Sequence, residues 1–439
     1  MPGKCGYAQW SSLSVGSLQG KNDLMEDSAS NPIAKAREVG LAVLKPSQRD
    51  LDYGLALHQE SLVIESYGLG HHAPLQPGLL NQALESGASE LEYQDLCEQM
   101  IMAGWLRESR FQEEYREAWE ASGVTCMFLN AGEESNDPMR LLKRLSRYVA
   151  LTDAMPDFLE RAVSVEGILQ AKAQGKRALC LTGNGIPLTG NTLTVEDELR
   201  TLQVFANLGI RMMHLTYNRR NLLADGCAEP SNAGLSGFGR EAIRQMNRLG
   251  LIIDVAHSGW QTCLEAACAS EKPIVISHSA IGSLNSHARC KPDEVIQAVV
   301  DAGGTIGITN ISAFLGGTGD LAAMLDHIDY AIRKFGPDAV TIGMDSAYRS
   351  RWSDEAEQSL QPRAARRARW ENFWPPGDKL LDPAWNQPAK IQSMASTNWP
   401  LITVGMVQRG HSDETIRKVI GENMLRVAAE VWHLPALTA

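Results

Sequence analysis

Paired cysteines, a basic excess and long apolar runs are all missing from this sequence. Its eight cysteines, at positions 5, 97, 126, 180, 227, 263, 268 and 290, include no C-x-x-C pair. Several lie inside apolar runs such as Thr125-Cys126-Met127-Phe128, so they read as reduced, buried thiols and not as a disulfide frame or a zinc knuckle. Lys and Arg number 41 against 52 Asp and Glu, a formal net charge of −11. With no basic footprint, nucleic acid and anionic membrane are poor partners. No stretch approaches the roughly 20 apolar residues of a membrane span, and Met1-Pro2-Gly3-Lys4-Cys5-Gly6-Tyr7 has no apolar core like that of a secretory signal. A cytoplasmic protein is the default expectation. No internal repeat is evident.

What is present is a large apolar inventory: 44% hydrophobic residues over 439 positions, enough for one large domain with additions, or two. Short β-rich runs alternate with amphipathic stretches: Ser61–Glu65, Val124–Asn130, Arg177–Thr182, Arg211–Thr216, Leu251–Ala256, Pro273–Ser277, Gly304–Thr309 and Ala339–Met344. Eight such runs with helical spacers predict an α/β fold, a (β/α)₈ TIM-like barrel. Phe238-Gly239-Arg240-Glu241 leads into a helix that stops at Leu249-Gly250, with Gly250 as the C′ residue, and Lys291-Pro292-Asp293-Glu294 opens another. Residues 1–60 read as an N-terminal extension, 61–430 as the barrel, and 431–439 as a tail. Within the barrel, 349–400 breaks the regularity with Arg363, Arg366, Arg367 and Arg369, then Trp370, Trp374, Pro375 and Pro376. It is an insertion after the eighth strand, over the barrel mouth, read either as a lid or oligomer contact or as a solvated helix face.

Three runs end on groups that can do chemistry. His257 closes the fifth run, His278 the sixth, and Asp345 follows the eighth, which delivers two imidazoles and a carboxylate to strand C-termini, where such barrels keep their active sites. A lone histidine at a strand end is usually a hydrogen-bonded core group; two with an aspartate form a His₂-carboxylate set suited to zinc or another transition ion. His214, inside Met212-Met213-His214-Leu215, reads as a satisfied packing residue. Asp254, three residues before His257, reads as a group that orients its neighbours.

Ordered motifs add a resemblance. Leu208-Gly209-Ile210-Arg211 with Leu215-Thr216-Tyr217-Asn218, Gly234-Leu235-Ser236 with Phe238-Gly239-Arg240, and Met246-Asn247-Arg248-Leu249-Gly250 come first. Asp254-Val255-Ala256-His257-Ser258, Ile276-Ser277-His278-Ser279, His287-Ala288-Arg289 and Gly421-Glu422-Asn423 follow in order. On these the chain resembles, over roughly residues 55–430, the membrane (renal) dipeptidase family, peptidase family M19 of the amidohydrolase superfamily. The resemblance implies a two-zinc dipeptidase in which His257 and His278 are metal ligands, Asp345 assists the metal-bound water or its proton, and Arg289 binds the substrate carboxylate. It also implies a dimer.

The other half of the implied site is replaced. Where the family ends its first strand with Asp-x-His-x-Asp, this chain has Glu65-Ser66-Tyr67-Gly68-Leu69; Asn184 stands near the bridging glutamate, and Tyr217 at the oxyanion-stabilising histidine. Two Zn²⁺ ions carry four positive charges, and of the family's offsetting carboxylates only Asp345 remains, so a binuclear centre is not expected. One Zn²⁺ or other divalent ion on His257, His278 and Asp345, or no metal at all, stays open. Glu65, His71 or His72 could replace a lost ligand only if their loop folds inward. The first functional reading is an amidohydrolase acting on a dipeptide or N-acyl amino acid, with Tyr217 or Asn184 polarising the carbonyl and Tyr67 beside the substrate. The second is a metal-free acid/base enzyme, a lyase, isomerase or epimerase, in the same pocket; the third is a relative that only binds a ligand or partner.

Overall fold

The computed structural model describes residues 31–132, 137–190, 194–363 and 370–432. Cys5, Arg366, Arg367, Arg369 and the tail from residue 433 lie outside them. Eight parallel strands form the barrel: β1 Ile64–Gly68, β2 Cys126–Asn130, β3 Arg177–Gly183, β4 Ile210–His214, β5 Ile252–Asp254, β6 Ile274–Ser279, β7 Thr305–Ile308 and β8 Val340–Ile342. They pair in chain order from β1 to β8. The last seam is closed by Asp345 N–H donating to Tyr67 O and Leu69 N–H to Ser346 O, both at 3.1 Å. All eight runs expected of the sequence are strands. The first is displaced by three residues, because Ser61 instead ends the helix Gln48–Glu60, donating its N–H to Leu57 O.

Both faces of these strands are covered, which is why the runs are nearly continuously apolar. Ile64, Cys126, Phe128, Ala178, Cys180, Met212, Ile252 and Val275 form one buried cluster with Met424, Val427, Ala428 and Val431 of the helix Asn423–Val431. That helix closes the N-terminal end of the barrel: Asn423 Nδ2 donates to Pro337 O and Val340 O, each at 2.7 Å, at the start of β8. Each fully buried aliphatic side chain of this kind contributes about 1.5–3 kcal/mol. With that end plugged, chemistry is left to the C-terminal mouth.

The helices carry the punctuation the sequence announces. Ser236 accepts from Gly239 N at the start of Gly237–Leu249, and Gly250, at φ 65°, ends it in the left-handed conformation. N-terminal to the barrel, Pro32–Leu44 and Gln48–Glu60 pack on the helix Trp399–Gln408, with Gly54 directly against Val404. The described residues between 353 and 393 form a series of short helical turns, from Ser353–Gln358 to Pro388–Ser393. It is tied to the barrel by His287 Nε2 and Asp378 Oδ1 at 3.0 Å. Arg363 is not merely solvated: it pairs with Glu90 and stands 3.7 Å over the Tyr93 ring. The seven described cysteines are all free.

Close packing inside the barrel leaves no room beside one backbone carbonyl. A Cβ on Gly307 would lie 1.9 Å from Ser277 O and one on Gly343 2.1 Å from it, while Ser66 Oγ donates to the same oxygen at 2.7 Å. These two glycines bracket the peptide that precedes His278. Gly307→Ala is expected to destabilise the protein by about 1–3 kcal/mol or more. Gly237→Ala, at a helix N-terminus with open space around it, should stay within about 0.5 kcal/mol of the parent. Urea unfolding of the two variants side by side checks this.

Candidate active site

The C-terminal ends of the strands surround a cavity of about 440 Å³. Tyr67 from β1, Asn184 after β3, Tyr217 after β4, His257 after β5, Arg289 beyond β6 and Asp345 after β8 all line it. His278, on β6, lies just beneath: its Nε2 is 3.9 Å from Asp345 Oδ2. All the site residues expected from sequence therefore converge on one mouth. The far wall is apolar and comes from Phe314 and from the insertion, through Trp374, Leu380, Trp385 and Ile391.

The imidazoles are held by their neighbours. His257 Nδ1 is 2.7 Å from Asn218 Oδ1, His278 Nδ1 is 2.7 Å from Ser277 Oγ, and the two Nε2 atoms face each other at 3.0 Å. Tyr67 stacks on His278 with ring centroids 3.9 Å apart, and Tyr217 stacks on His257 at 4.2 Å. Burial, reinforced by the nearby Arg289 charge, pushes both imidazoles well below the usual histidine range. Both are therefore uncharged near neutral pH, the state in which an imidazole can accept a proton or hold a metal.

Asp345 owes its position to strained backbone. Its φ of 56° is left-handed, uncommon for a non-glycine residue. The turn lets its N–H close the barrel on Tyr67 O while the side chain, 23% exposed, faces the cavity. Arg289 is 1% exposed, and Nη1 donates to Ala256 O at 2.5 Å, whereas Nε and Nη2 make no hydrogen bond. Asn184, 5% exposed, likewise leaves Oδ1 unbonded.

Sequence reasoning misplaced one residue and missed several. His214 is not a satisfied packing group: it completes a triangle with His257 and His278, at centroid distances of 5.3 and 5.5 Å. Its Nδ1 is 3.3 Å from Gly183 O, and its Nε2 makes no hydrogen bond. The signal was there, since His214 ends β4 as His257 and His278 follow their own strands. Asp254 does orient neighbours, its Oδ1 accepting from Ala256 N at 2.9 Å and Ser277 N at 3.2 Å. Burial opposes its ionisation, yet the His214 ring and these hydrogen bonds outweigh burial and hold the carboxyl below its usual range. Asp254 Oδ2 lies 3.0 Å from His214 Nε2, a close electrostatic contact without the alignment of a hydrogen bond. Asn130 and Asn310 also line the cavity; nothing in their sequence context sets them apart from other loop asparagines.

The substitute ligands do not reach the site. The pairing of β1 with β2 slips between Glu65 and Gly68, a bulge that turns Tyr67 into the barrel and leaves Glu65 toward the helical layer. There Trp399 Nε1 donates to Glu65 Oε2 at 3.3 Å. His71 and His72 form a short strand against Tyr348–Arg349, and the His71 ring is packed among Tyr115, Trp119 and Tyr348. Burial pushes His71 down to about 3.

A closed parallel barrel with histidines from β5 and β6 and an aspartate after β8 is the architecture of the amidohydrolase class. More specifically, the chain belongs to the membrane dipeptidase family, peptidase family M19, whose description matches residues 114–359. That match begins beyond β1, the strand on which the family's ligand pattern is replaced. Among curated proteins, "Dipeptidase tcpJ" of Claviceps purpurea (strain 20.1) is 26% identical over 286 residues, covering 64% of this chain. The chain spans 57% of the length of that relative. Among solved structures, an amidohydrolase from Pseudomonas aeruginosa superimposes with a TM-score of 0.63 at 24% identity, covering 86% of this chain and 99% of that one. A metallo peptidase from Rhodobacter sphaeroides, liganded with a phosphinate mimic of the dipeptide L-Ala-D-Ala, gives 0.59 at 16% identity, with 85% and 100% covered. No helix among the described residues is long and apolar enough to cross a membrane.

Glu65 supplies a pH signature. Burial raises its carboxyl from 4.5 to about 8, with the Trp399 hydrogen bond opposing. Its folded pKa lies above its unfolded one, so folding favours the protonated acid. The protein is expected to be most stable below about pH 4.5 as far as this group is concerned, and to lose that contribution as pH rises to about 8. In Glu65→Gln this loss disappears, so the variant should gain several kcal/mol on the parent between pH 5 and about 8. Denaturant titrations of both proteins across that range measure it; a constant difference at all pH values would contradict a buried, protonated Glu65.

Proposed function

We propose that the protein is a dipeptidase-like amidohydrolase that cleaves the amide or peptide bond of a small carboxylate-bearing substrate, a dipeptide or an N-acyl amino acid, using at most one metal ion. The observation that carries this reading is Arg289. A buried guanidinium with two unbonded N–H groups beside a cavity is costly until a ligand satisfies it, and its planar fork matches a carboxylate.

The donor set bears on the metal. A two-ion centre does not fit: the Tyr67 ring lies on the face of His278, Leu69 is apolar, and Asn184 brings no charge to a bridging position. One divalent ion fits, held by His257 and His278, with Asp345 within reach of His278. When bound, such an ion supplies Lewis acidity to the scissile carbonyl and to the attacking water. Arg289 fixes the substrate carboxylate, and Asp345 takes the proton from water and returns it to the leaving amine. The Tyr217 hydroxyl or the Asn184 amide stabilises charge developing on the carbonyl oxygen, Tyr67 bounds the substrate, and the apolar wall of Phe314, Trp374 and Trp385 excludes bulk water.

Asp345→Asn is expected to lower kcat about 10²–10⁴-fold on whichever dipeptide or N-acyl amino acid a substrate screen identifies; undiminished turnover would remove Asp345 from the reaction. Arg289→Met is expected to raise KM about 100-fold for a free carboxylate and to leave the corresponding carboxamide unaffected. Steady-state kinetics on the acid and amide pair reads this out, and equal losses on both would show that Arg289 does not clamp the carboxylate.

A further inference from the structure

Three imidazoles, not two, each bring a ring nitrogen to one spot. In each ring Nδ1 is engaged by a neighbour: Gly183 O for His214, Asn218 Oδ1 for His257 and Ser277 Oγ for His278. For His257 the partner is a carbonyl oxygen and can only accept, so it places the proton on Nδ1 and leaves a lone pair on Nε2. This is how metal-binding imidazoles are oriented by the groups behind them. His214 has an acceptor beside each nitrogen, Gly183 O at 3.3 Å and Asp254 Oδ2 at 3.0 Å, the second of which must yield for Nε2 to take an ion. His214 Nε2 is fully buried and makes no hydrogen bond. The ring centroids form a nearly equilateral triangle, 5.0 Å for His257–His278 and 5.3 and 5.5 Å for His214 to each. Among the described residues, these three form the group of potential ligands whose donor atoms all lie within 4.8 Å of one another, and Asp345 stands outside it.

We propose that His214, His257 and His278 together bind a single transition-metal ion, with β4 replacing the ligands that β1 and β3 have lost. Ligand nitrogens about 2.0–2.1 Å from a tetrahedral ion lie about 3.3 Å apart, close to the 3.0 Å that separates the Nε2 atoms of His257 and His278. Charge is balanced locally. Arg289 and Lys291 are the cations near His257 and His278, and they oppose an added dication. Asp254, 3.0 Å from His214 Nε2 with Oδ2 unbonded, and Asp345, 3.9 Å from His278 Nε2, offset it. With two cations offset by two carboxylates, the surroundings hold no spare negative charge for a second ion. Three imidazole nitrogens favour zinc, copper or nickel over magnesium or calcium. Asp345 is then free to carry protons instead of being spent as a ligand. The assignment builds on the one-metal reading above, but it stands or falls on metal content and not on any substrate.

The experiment is metal analysis by mass spectrometry of the full chain, purified without chelator or nickel resin, with Zn²⁺ and Co²⁺ titrated into stripped protein. The parent is expected to hold about one ion per chain. His214→Gln should weaken Zn²⁺ binding about 100-fold while keeping the circular dichroism and unassisted melting temperature of the stripped parent. Asp345→Asn should keep Zn²⁺ affinity within about 10-fold of the parent while losing turnover. If His214→Gln does not fold, zinc-edge X-ray absorption of the parent decides, with three imidazoles expected. Parent-like Zn²⁺ affinity in His214→Gln, loss of metal in Asp345→Asn, or two imidazoles plus a carboxylate at the zinc edge would overturn the assignment. So would a parent that binds neither ion; Ser277 Oγ would then donate to His278 Nδ1, and a proton would join the two Nε2 atoms. Metal binding without hydrolysis of any carboxylate substrate would sink the hydrolase reading and leave this site intact.

Discussion

Everything at the mouth of this barrel depends on how three imidazoles are packed against one another with one buried carboxylate, Asp254, beside His214. Each ring is fixed from behind by a group that belongs to the barrel itself: the end of β3 for His214, the loop after β4 for His257, and β6 for His278. Those anchors have little freedom. Ser277 O, beside His278, is enclosed by Gly307, Gly343 and the Ser66 hydroxyl. A side chain at either glycine would displace the peptide that aims the ring. The fold and the site are thus one packing problem, and the inner glycines of β7 and beyond β8 belong to the site as much as the histidines do.

Replacing charged ligands by neutral ones changes what the cavity can hold. A buried charge is tolerated where opposite charge or hydrogen bonds meet it, and here Tyr67, Leu69 and Asn184 occupy three positions where the family resemblance implies ligands. The compensation sits lower and to one side. Asp254 is buried, ionised and tied to two backbone N–H groups, and it pulls the balance of charge toward β4 and β5. Tyr67 is more than a lost histidine. The bulge in β1 turns it onto the face of His278, while Glu65 is sent to the helical layer, where burial keeps it protonated. A single irregularity in one strand separates two side chains that the sequence places side by side.

The barrel was legible because its signal repeats. Each strand is buried on both faces, so eight apolar runs stand out, and their order alone predicts the closed sheet. His257, His278 and Asp345 were legible for the same reason, each ending or following a run. His214 was passed over although it ends β4 in the same way, because its apolar neighbours Met212, Met213 and Leu215 suggested packing. What distinguishes it is an unbonded Nε2 and the approach of two other rings, which are tertiary facts. The slip in β1 was invisible as well: a bulge depends on the register of the partner strand, and the run Ser61–Glu65 is as apolar as the true strand. The inner glycines carried no label, since their need arises from a carbonyl some thirty or more residues away.

On the proposed hydrolytic reading, the insertion after β8 gives the Arg289 clamp its strength. Arg289 in open solvent would gain little from a carboxylate, since water already satisfies both. Here the guanidinium lies 5.9 Å from the Phe314 ring centroid, in a cavity also lined by Trp374 and Trp385 from the insertion. Two of its nitrogens are left without protein acceptors. Low local polarity raises both the cost of those unmet donors and the gain on meeting them. The His287–Asp378 hydrogen bond that pins the insertion therefore acts on binding through the dielectric around Arg289, although neither residue lines the cavity. On the hydrolytic reading, selection for a carboxylate rests on an arginine from the barrel and an apolar roof from the insertion, and neither suffices alone.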